Sequence, residues 1–350
     1  VFAPFKRIFL TCLAGAFLAA VLYAFGWLIR PNLSETPFAY DAAEVERVEK
    51  ERSASAGGAE PPVLHRSVDY SEGPDAEWYP KGEPPLLAEW VEAGRLPPVA
   101  ERIGPEPAVV AGVEGVGRYG GTWYRIASSE MDLNVMDWRL AGGKFMRWSP
   151  MGYPLRPHLA RSVEASEDNR VYRIELRRGM RWSDGHPFTA DDVLYWWEQE
   201  VLHFDQRPDW ILVRGERPVV SKLDDHTVEF RFPHPHGLFR EALARHSAWA
   251  PKHYLEPYHP EFGDPEKREA MRELQGVPTE RAAYFRLKDL RNPEHPRLWP
   301  WVPRSHQSVP PFEYVRNPYY FAVDEAGNQL PYIDRLLFDV RGEGMIPLTA

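Results

Sequence analysis

The stretch RVYRIELRRGMRWSDGHPFTADDVLYWWEQEV, Arg170 to Val201, constrains the fold more than any other part of this chain. Its first residues alternate, so that Tyr172, Ile174 and Leu176 fall on one face of a strand and Val171, Arg173, Glu175 and Arg177 on the other. Gly179 permits a turn, RWSDG makes a second, and Thr189 with Asp192 three residues later has the spacing of a capping box at a helix start. Val193, Trp196, Trp197 and Glu200 then recur at helical spacing, which puts Val193 and both indoles on one face and reads them as core. The unit is rigid and aromatic, and no catalytic group lies inside it. Asp191 and Asp192 resemble a catalytic pair only on paper, because the first turn of a helix favours carboxylates through the macrodipole and the cap.

Composition bounds the rest. The chain has 350 residues, 43% of them apolar and 13% aromatic, enough for a packed core of one large domain or two ordinary ones. Its 35 prolines point to long irregular connections rather than a helical bundle. A net charge of -9 removes the general attraction to phosphate backbones on which nucleic-acid binders rely, so no nucleic acid is expected as a partner. With Cys12 as the single cysteine, no intrachain disulfide and no cysteine-based zinc site can form.

From Ile8 to Ile29 the chain carries no charge, and at ~1.5 Å per residue that length crosses a ~30 Å hydrocarbon layer. The segment reads as a transmembrane anchor or a long signal peptide. Lys6 and Arg7 on one side and Glu35, Asp41 and Glu44 beyond Arg30 on the other keep the N-terminus, residues 1–7, in the cytoplasm and place the remainder outside. The apolar core exceeds that of a typical cleaved signal, and Tyr23 and Trp27 suit an interface, which favours an uncleaved anchor. IFLTC lacks the small residue that precedes a lipidated cysteine. Residues 31–83 hold twelve Asp and Glu against five Lys and Arg, interrupted by SASAGGAEPP, so 30–83 reads as an acidic disordered tether and 84–350 as the folded domain.

Within that domain, PPLLAEWVEAG reads as a short helix stopped at Gly94, GRYGGTWYRIAS as a first strand, and SEMDLNVMDW as a polar loop after it. TVEFRF, FEYVRNPYYF and DRLLFDV add strands, and GLFREALARH and the stretch from Pro265 to Leu274 add helices. There is no G-x-S-x-G, Walker loop or HExxH, so the sequence carries no hydrolase or nucleotide-binding motif and calls for no cofactor. The histidines of HPH, His234 and His236, flank a proline and project apart. No carboxylate sits at helical spacing to complete a metal set with them, and His246, His253 and His259 are not read as ligands either, so no metal site is expected.

LRRGMRWSDGHPFTADDV, Leu176 to Val193, closely resembles the L-R-x-G-x-x-W-S-D-G-x-P-F-T-A-x-D-V phrase of the family 5 extracytoplasmic solute-binding proteins, the oligopeptide, dipeptide and nickel receptors of ATP-binding-cassette importers. GRYGGTWYR, LARSVEAS, PKHYLEPYHPEF and RNPYYFAVDEAGNQLPYIDRL match in the family's order. The resemblance implies an α/β, periplasmic-binding-protein-like type II two-lobed fold, with lobe I largely present and lobe II missing. It implies a non-enzymatic receptor that captures a solute outside the cytoplasmic membrane, with peptides the leading cargo and oligosaccharides the alternative, and delivers it to permease subunits served by separate ATPase subunits. It also implies ligand contacts at the loop leaving the first strand, Ala127, Ser128, Ser129 and Glu130, with Trp138, Phe204 and Trp210 as further candidates. The contrasting reading, an extracytoplasmic glycosidase, draws paired carboxylates from Glu130, Asp132 and Asp137 and needs two of them about 5 to 10 Å apart across a cleft.

Overall fold

The computed structural model of the protein describes residues 3–28, 43, 46–47, 65–112, 115–127, 129, 132, 134–140, 143–149, 152–289, 292–304 and 311–340. The chain divides into two units, Val1–Pro61 and Pro62–Ala350. In the first, Ala3–Leu28 is one α-helix. Among the described residues no helix is long and apolar enough to cross a membrane. Side chains of this helix are described only over 13–25 and at Leu28, and that stretch is shorter than the ~20 residues a span requires. The segment expected to anchor the chain is therefore helical but is not shown to span a bilayer.

In the second unit the described strands are β1 (His65–Arg66), β2 (Ala108–Val110), β3 (Thr122–Ala127), β4 (Met146–Ser149), β5 (Gly152–Pro157), β6 (Ala160–Ala165), β7 (Val171–Leu176), β8 (Val219–Asp224), β9 (Thr227–Arg231), β10 (Trp301–Pro303), β11 (Phe312–Arg316), β12 (Ala322–Val323) and β13 (Arg335–Val340). They assemble as β1-β2-β12, β10-β11-β13-β3, the hairpin β4-β5 and the antiparallel sheet β6-β7-β9-β8. Two described pairs are parallel, β12 with β2 and β13 with β3. The α/β mixture is as expected, with the sheets more antiparallel than parallel.

β7 behaves as its alternation predicts: Tyr172, Ile174 and Leu176 are buried in the main core. Gly179 takes φ 79° in the following turn and lies against the backbone of Gly104. A Cβ on Gly179 would meet the Gly104 Cα at 2.6 Å, so the turn is fastened to the segment before β2 by a contact that only two glycines allow. The capping box is present, with the Thr189 hydroxyl accepting from the Asp191 N–H and the Asp192 carboxylate from the Thr189 N–H. Asp192 does more than cap. Its carboxylate also accepts from the Trp182 indole at 3.2 Å and from the Lys252 N–H at 3.0 Å, which ties the helix to the turn and to the segment that starts the helix Lys252–Leu255.

The helix itself departs from expectation. It is α-helical only over Ala190–Tyr195 and widens into a π-helical turn over Trp196–Leu202. The His203 N–H reaches back five residues to the Glu198 carbonyl, so the even helical spacing expected for Val193, Trp196, Trp197 and Glu200 is lost. Trp197 enters the main core, while Trp196 packs between that core and a second cluster built on Tyr195, Leu255, Tyr284 and Leu287. Glu200, 1% exposed, accepts the Tyr284 hydroxyl at 2.5 Å and pairs with Lys288.

Two further differences concern segments read as irregular. The expected tether is packed structure from His65 onward: Ala76 and Trp78 are buried with Val99, Ile103, Val109 and Val323. That segment is acidic on average, yet Trp78 and its neighbours supply the apolar surface which average composition hides. The loop expected after β3 contains a π-helical turn, Met136–Leu140, whose Met136 is buried.

Candidate functional site

β3 lies at one end of the sheet β10-β11-β13-β3, and among the described residues it pairs with β13 alone. Its second edge therefore presents backbone N–H and C=O groups without ladder partners. Register sets the faces: Trp123 and Arg125 lie beside Leu336 and Phe338 of β13, and Tyr124 and Ile126 beside Leu337 and Asp339. The first face is the inner one, with Leu336, Phe338, Phe312 and Tyr314 all buried. Arg125 packs its guanidinium over the Trp123 and Phe338 rings at 5.2 and 5.8 Å. The second face is open, with Tyr124 74% and Ile126 57% exposed. An apolar, half-paired edge of this kind is a template for an added strand.

Ala127 ends β3 inside the cluster formed by Met136, Trp299, Trp301 and the β11 and β13 side chains. Ser129 is exposed and closes a turn, its N–H donating to the Asp132 carboxylate at 3.3 Å and its carbonyl accepting the Asp132 N–H at 3.1 Å. Its backbone is thus engaged in the turn. Ser128 and Glu130 lie outside the described residues, as do the side chains of Trp138, on the turn Met136–Leu140, and of Asp137.

Phe204 and Trp210 sit in other clusters. Phe204 contacts His203, His259, Tyr284 and Phe285 and carries the Arg281 guanidinium at 4.8 Å. Trp210 stacks between Trp196 and His246, with ring centroids 5.8 and 5.0 Å away. Both are engaged in packing, and among the described residues Ala127, Phe204 and Trp210 belong to three different clusters. The histidines are likewise engaged: His234 bonds Glu216, His236 the Trp210 carbonyl, and His253 Asp184 while stacking on His186. Among the described residues no three His, Cys, Asp or Glu side chains are grouped to hold a metal.

One feature near the end of β3 is absent from the sequence expectations. Gly143 lies against two indoles, and a Cβ there would meet Trp299 Cδ1 at 2.9 Å and Trp249 Cζ2 at 3.3 Å. The Nε1 atoms of both Trp249 and Trp299 are buried without a hydrogen-bond partner among the described residues. Orphaned buried donors each cost ~1–3 kcal/mol, so they mark a place where an acceptor is needed. Gly143, Trp249 and Trp299 come from segments far apart in the chain, and no local pattern around any of them signals the meeting.

Residues 154–344 match the family described as Bacterial extracellular solute-binding proteins, family 5 Middle. The chain is 34% identical to the periplasmic alpha-galactoside-binding protein of Rhizobium meliloti (strain 1021), over 73% of this chain and 38% of that one. It is 30% identical to the periplasmic oligopeptide-binding protein OppA of Escherichia coli (strain K12), over 33% of this chain and 24% of the relative. Among solved structures, an oligopeptide-binding protein OppA superposes with TM-score 0.69 at 36% identity, covering 83% of this chain and 43% of that chain. The periplasmic binding protein MelB from agrobacterium fabrum C58, in complex with stachyose, superposes with TM-score 0.60 at 26% identity, covering 81% of this chain and 45% of that one. The chain thus spans about two fifths of the length of the relative from Rhizobium meliloti.

Proposed function

The chain belongs to the bacterial extracellular solute-binding proteins of family 5, and from that premise we propose that it supplies one lobe of the substrate-binding component of an ABC-type importer. The lobe binds and does not transform: it holds a solute outside the cytoplasmic membrane and presents it to permease subunits whose ATPase partners are separate chains. The observation that supports this most is the edge of β3 that no described strand pairs, with Tyr124 and Ile126 exposed beside it, since an extended ligand can complete such an edge through backbone hydrogen bonds. A peptide is accordingly the leading cargo. The loop Ala127 to Glu130, Trp138 beyond it, and Phe204 and Trp210 are the ligand contacts assigned to this lobe in that reading.

A second cargo has its own support. The relative from Rhizobium meliloti is named for alpha-galactosides, and the orphaned indole donors of Trp249 and Trp299 suit hydroxyl oxygens as well as peptide carbonyls. The helix Ala3–Leu28, uncharged from Ile8 onward, is assigned as an anchor to the outer face of the cytoplasmic membrane, or as a secretion signal if it is cleaved. Anchoring would raise the receptor's effective concentration at the permease.

The test is calorimetric titration of the purified protein, in its longest native form, with trialanine and with stachyose, together with mass spectrometry of whatever co-purifies. Saturable peptide binding is expected. Binding of stachyose alone would replace the peptide reading with the sugar reading, and turnover of either compound would overturn the receptor assignment itself.

A further inference from the structure

A pocket of about 320 Å³ lies between β1–β2 and the strands β5, β6 and β7, away from the β3 edge, and its wall includes His65, Arg66, Arg156, Arg161 and Arg177. In a chain of net charge -9 four arginines on one wall are an unusual concentration of cations. Two of the four are neutralised: Arg66 pairs with Glu325 at 2.8 Å, and Arg161 with Glu175 at 3.0 Å and Glu106 at 3.4 Å. The other two are not. Arg177 is 6% exposed, and its donors go to neutral oxygens, the carbonyls of His158 at 2.6 Å and Pro107 at 3.0 Å and the Tyr70 hydroxyl at 2.5 Å. Arg156 has no carboxylate partner among the described residues and stands directly opposite Arg147 in the β4–β5 ladder. Like charges facing each other across a ladder are destabilising unless something of opposite sign sits near them.

The acidic groups on the same wall do not balance the excess. Glu175 is already shared by Arg161 and Ser162, which leaves Glu164 against Arg156, Arg177 and the neighbouring Arg147. His65 registers the resulting field, since burial together with Arg147, Arg177 and Arg156 pulls its imidazole down to about 4 and keeps it neutral. Its Nε2 lies 3.1 Å from Nδ1 of His158, whose own Nε2 is buried without a partner among the described residues.

We propose that this pocket is a binding site for a small oxyanion, a phosphoryl or carboxylate group, taken by Arg156 at the mouth with Arg177 fixed behind it. Guanidinium groups suit such anions because their planar N–H fork matches two oxygens at once. A volume of this size admits a free anion or the headgroup of an anionic lipid. The site is independent of the solute reading.

The experiment titrates the full chain, in nonionic detergent at fixed ionic strength, with inorganic phosphate and separately with short-chain phosphatidylglycerol and short-chain phosphatidylcholine. Arg156→Gln is the test variant, because its partial exposure leaves the fold intact, and Arg170→Gln, at an exposed ion pair elsewhere, is the control. Saturable phosphate binding that weakens tenfold or more in Arg156→Gln and is unchanged in Arg170→Gln establishes a free-anion site. Binding of phosphatidylglycerol but of neither phosphate nor phosphatidylcholine, with the same dependence on Arg156, establishes a headgroup site. The proposal is overturned if nothing saturates, or if both variants weaken binding alike.

Discussion

Asp192 shows how much one side chain can hold. It is 3% exposed, and burial pushes its carboxyl up while the hydrogen bonds from Thr189, Lys252 and Trp182 pull it down. The Thr189 hydroxyl, by contrast, accepts only from N–H groups of the helix's own first turn. The two halves of the capping box should therefore separate on mutation. Thr189→Ala is expected to lose about 1 kcal/mol, the usual worth of a helix cap. Asp192→Ala should lose about 3 kcal/mol, since it strands the buried indole donor of Trp182 and two backbone N–H groups. Urea unfolding of both variants decides this; equal losses would reduce Asp192 to an ordinary cap. The spacing of Thr189 and Asp192 was legible in sequence, but the bonds to Trp182 and Lys252 were not, because Lys252 comes from a segment sixty positions away.

Elements are joined in this protein by close backbone approach as well as by side chains. Gly104 and Gly179 both have positive φ, 76° and 79°, and each blocks a Cβ on the other. Gly179→Ala is expected to cost about 2–4 kcal/mol, from left-handed backbone strain plus a clash with unyielding backbone atoms. Gly94, also at positive φ, has open space where a Cβ would stand, with nothing within 4 Å, so Gly94→Ala should cost less. Thermal denaturation of the pair checks the ordering, and a reversed order would mean that the Gly104 contact does not fasten the turn. The π-helical turn at Trp196–Leu202 is the counterpart among helices. Adjacent tryptophans at helical spacing predict a helix, yet the partners that Trp196 finds beyond the main core, Tyr284 of the second cluster and the stacked Trp210, are not local.

The folded body as a whole buries neutral imidazoles. Burial first, then neighbouring guanidinium groups, holds His158 and His295 well below the usual imidazole value of 6.5. Unfolded, these histidines take up protons near that usual value while the folded state does not, so their contribution is intact above it and is lost as pH falls below it. Each should lower stability by about 1.4 kcal/mol per pH unit within that window. Urea unfolding between pH 7.5 and 5 is expected to give falling midpoints, and His158→Phe a shallower fall; a flat profile, or one unaffected by the substitution, would contradict the burial of neutral rings.

By itself the sequence determined the elements whose pattern is written in neighbouring residues: the alternation of β7 and β9, the capped helix, the Gly turn, and the family phrase from Leu176 to Val193. Residue spacing and turn chemistry act over a few positions, so they survive without knowledge of the rest of the chain. Only the tertiary structure decided that β13 lies parallel to β3 and leaves its far edge without a described strand, that Trp249 and Trp299 meet over Gly143, and that arginines from β5, from β6 and from just beyond β7 share a pocket with His65. Those meetings join segments far apart in the chain, and what selects them is the packing of whole faces, for which no local pattern carries a signal.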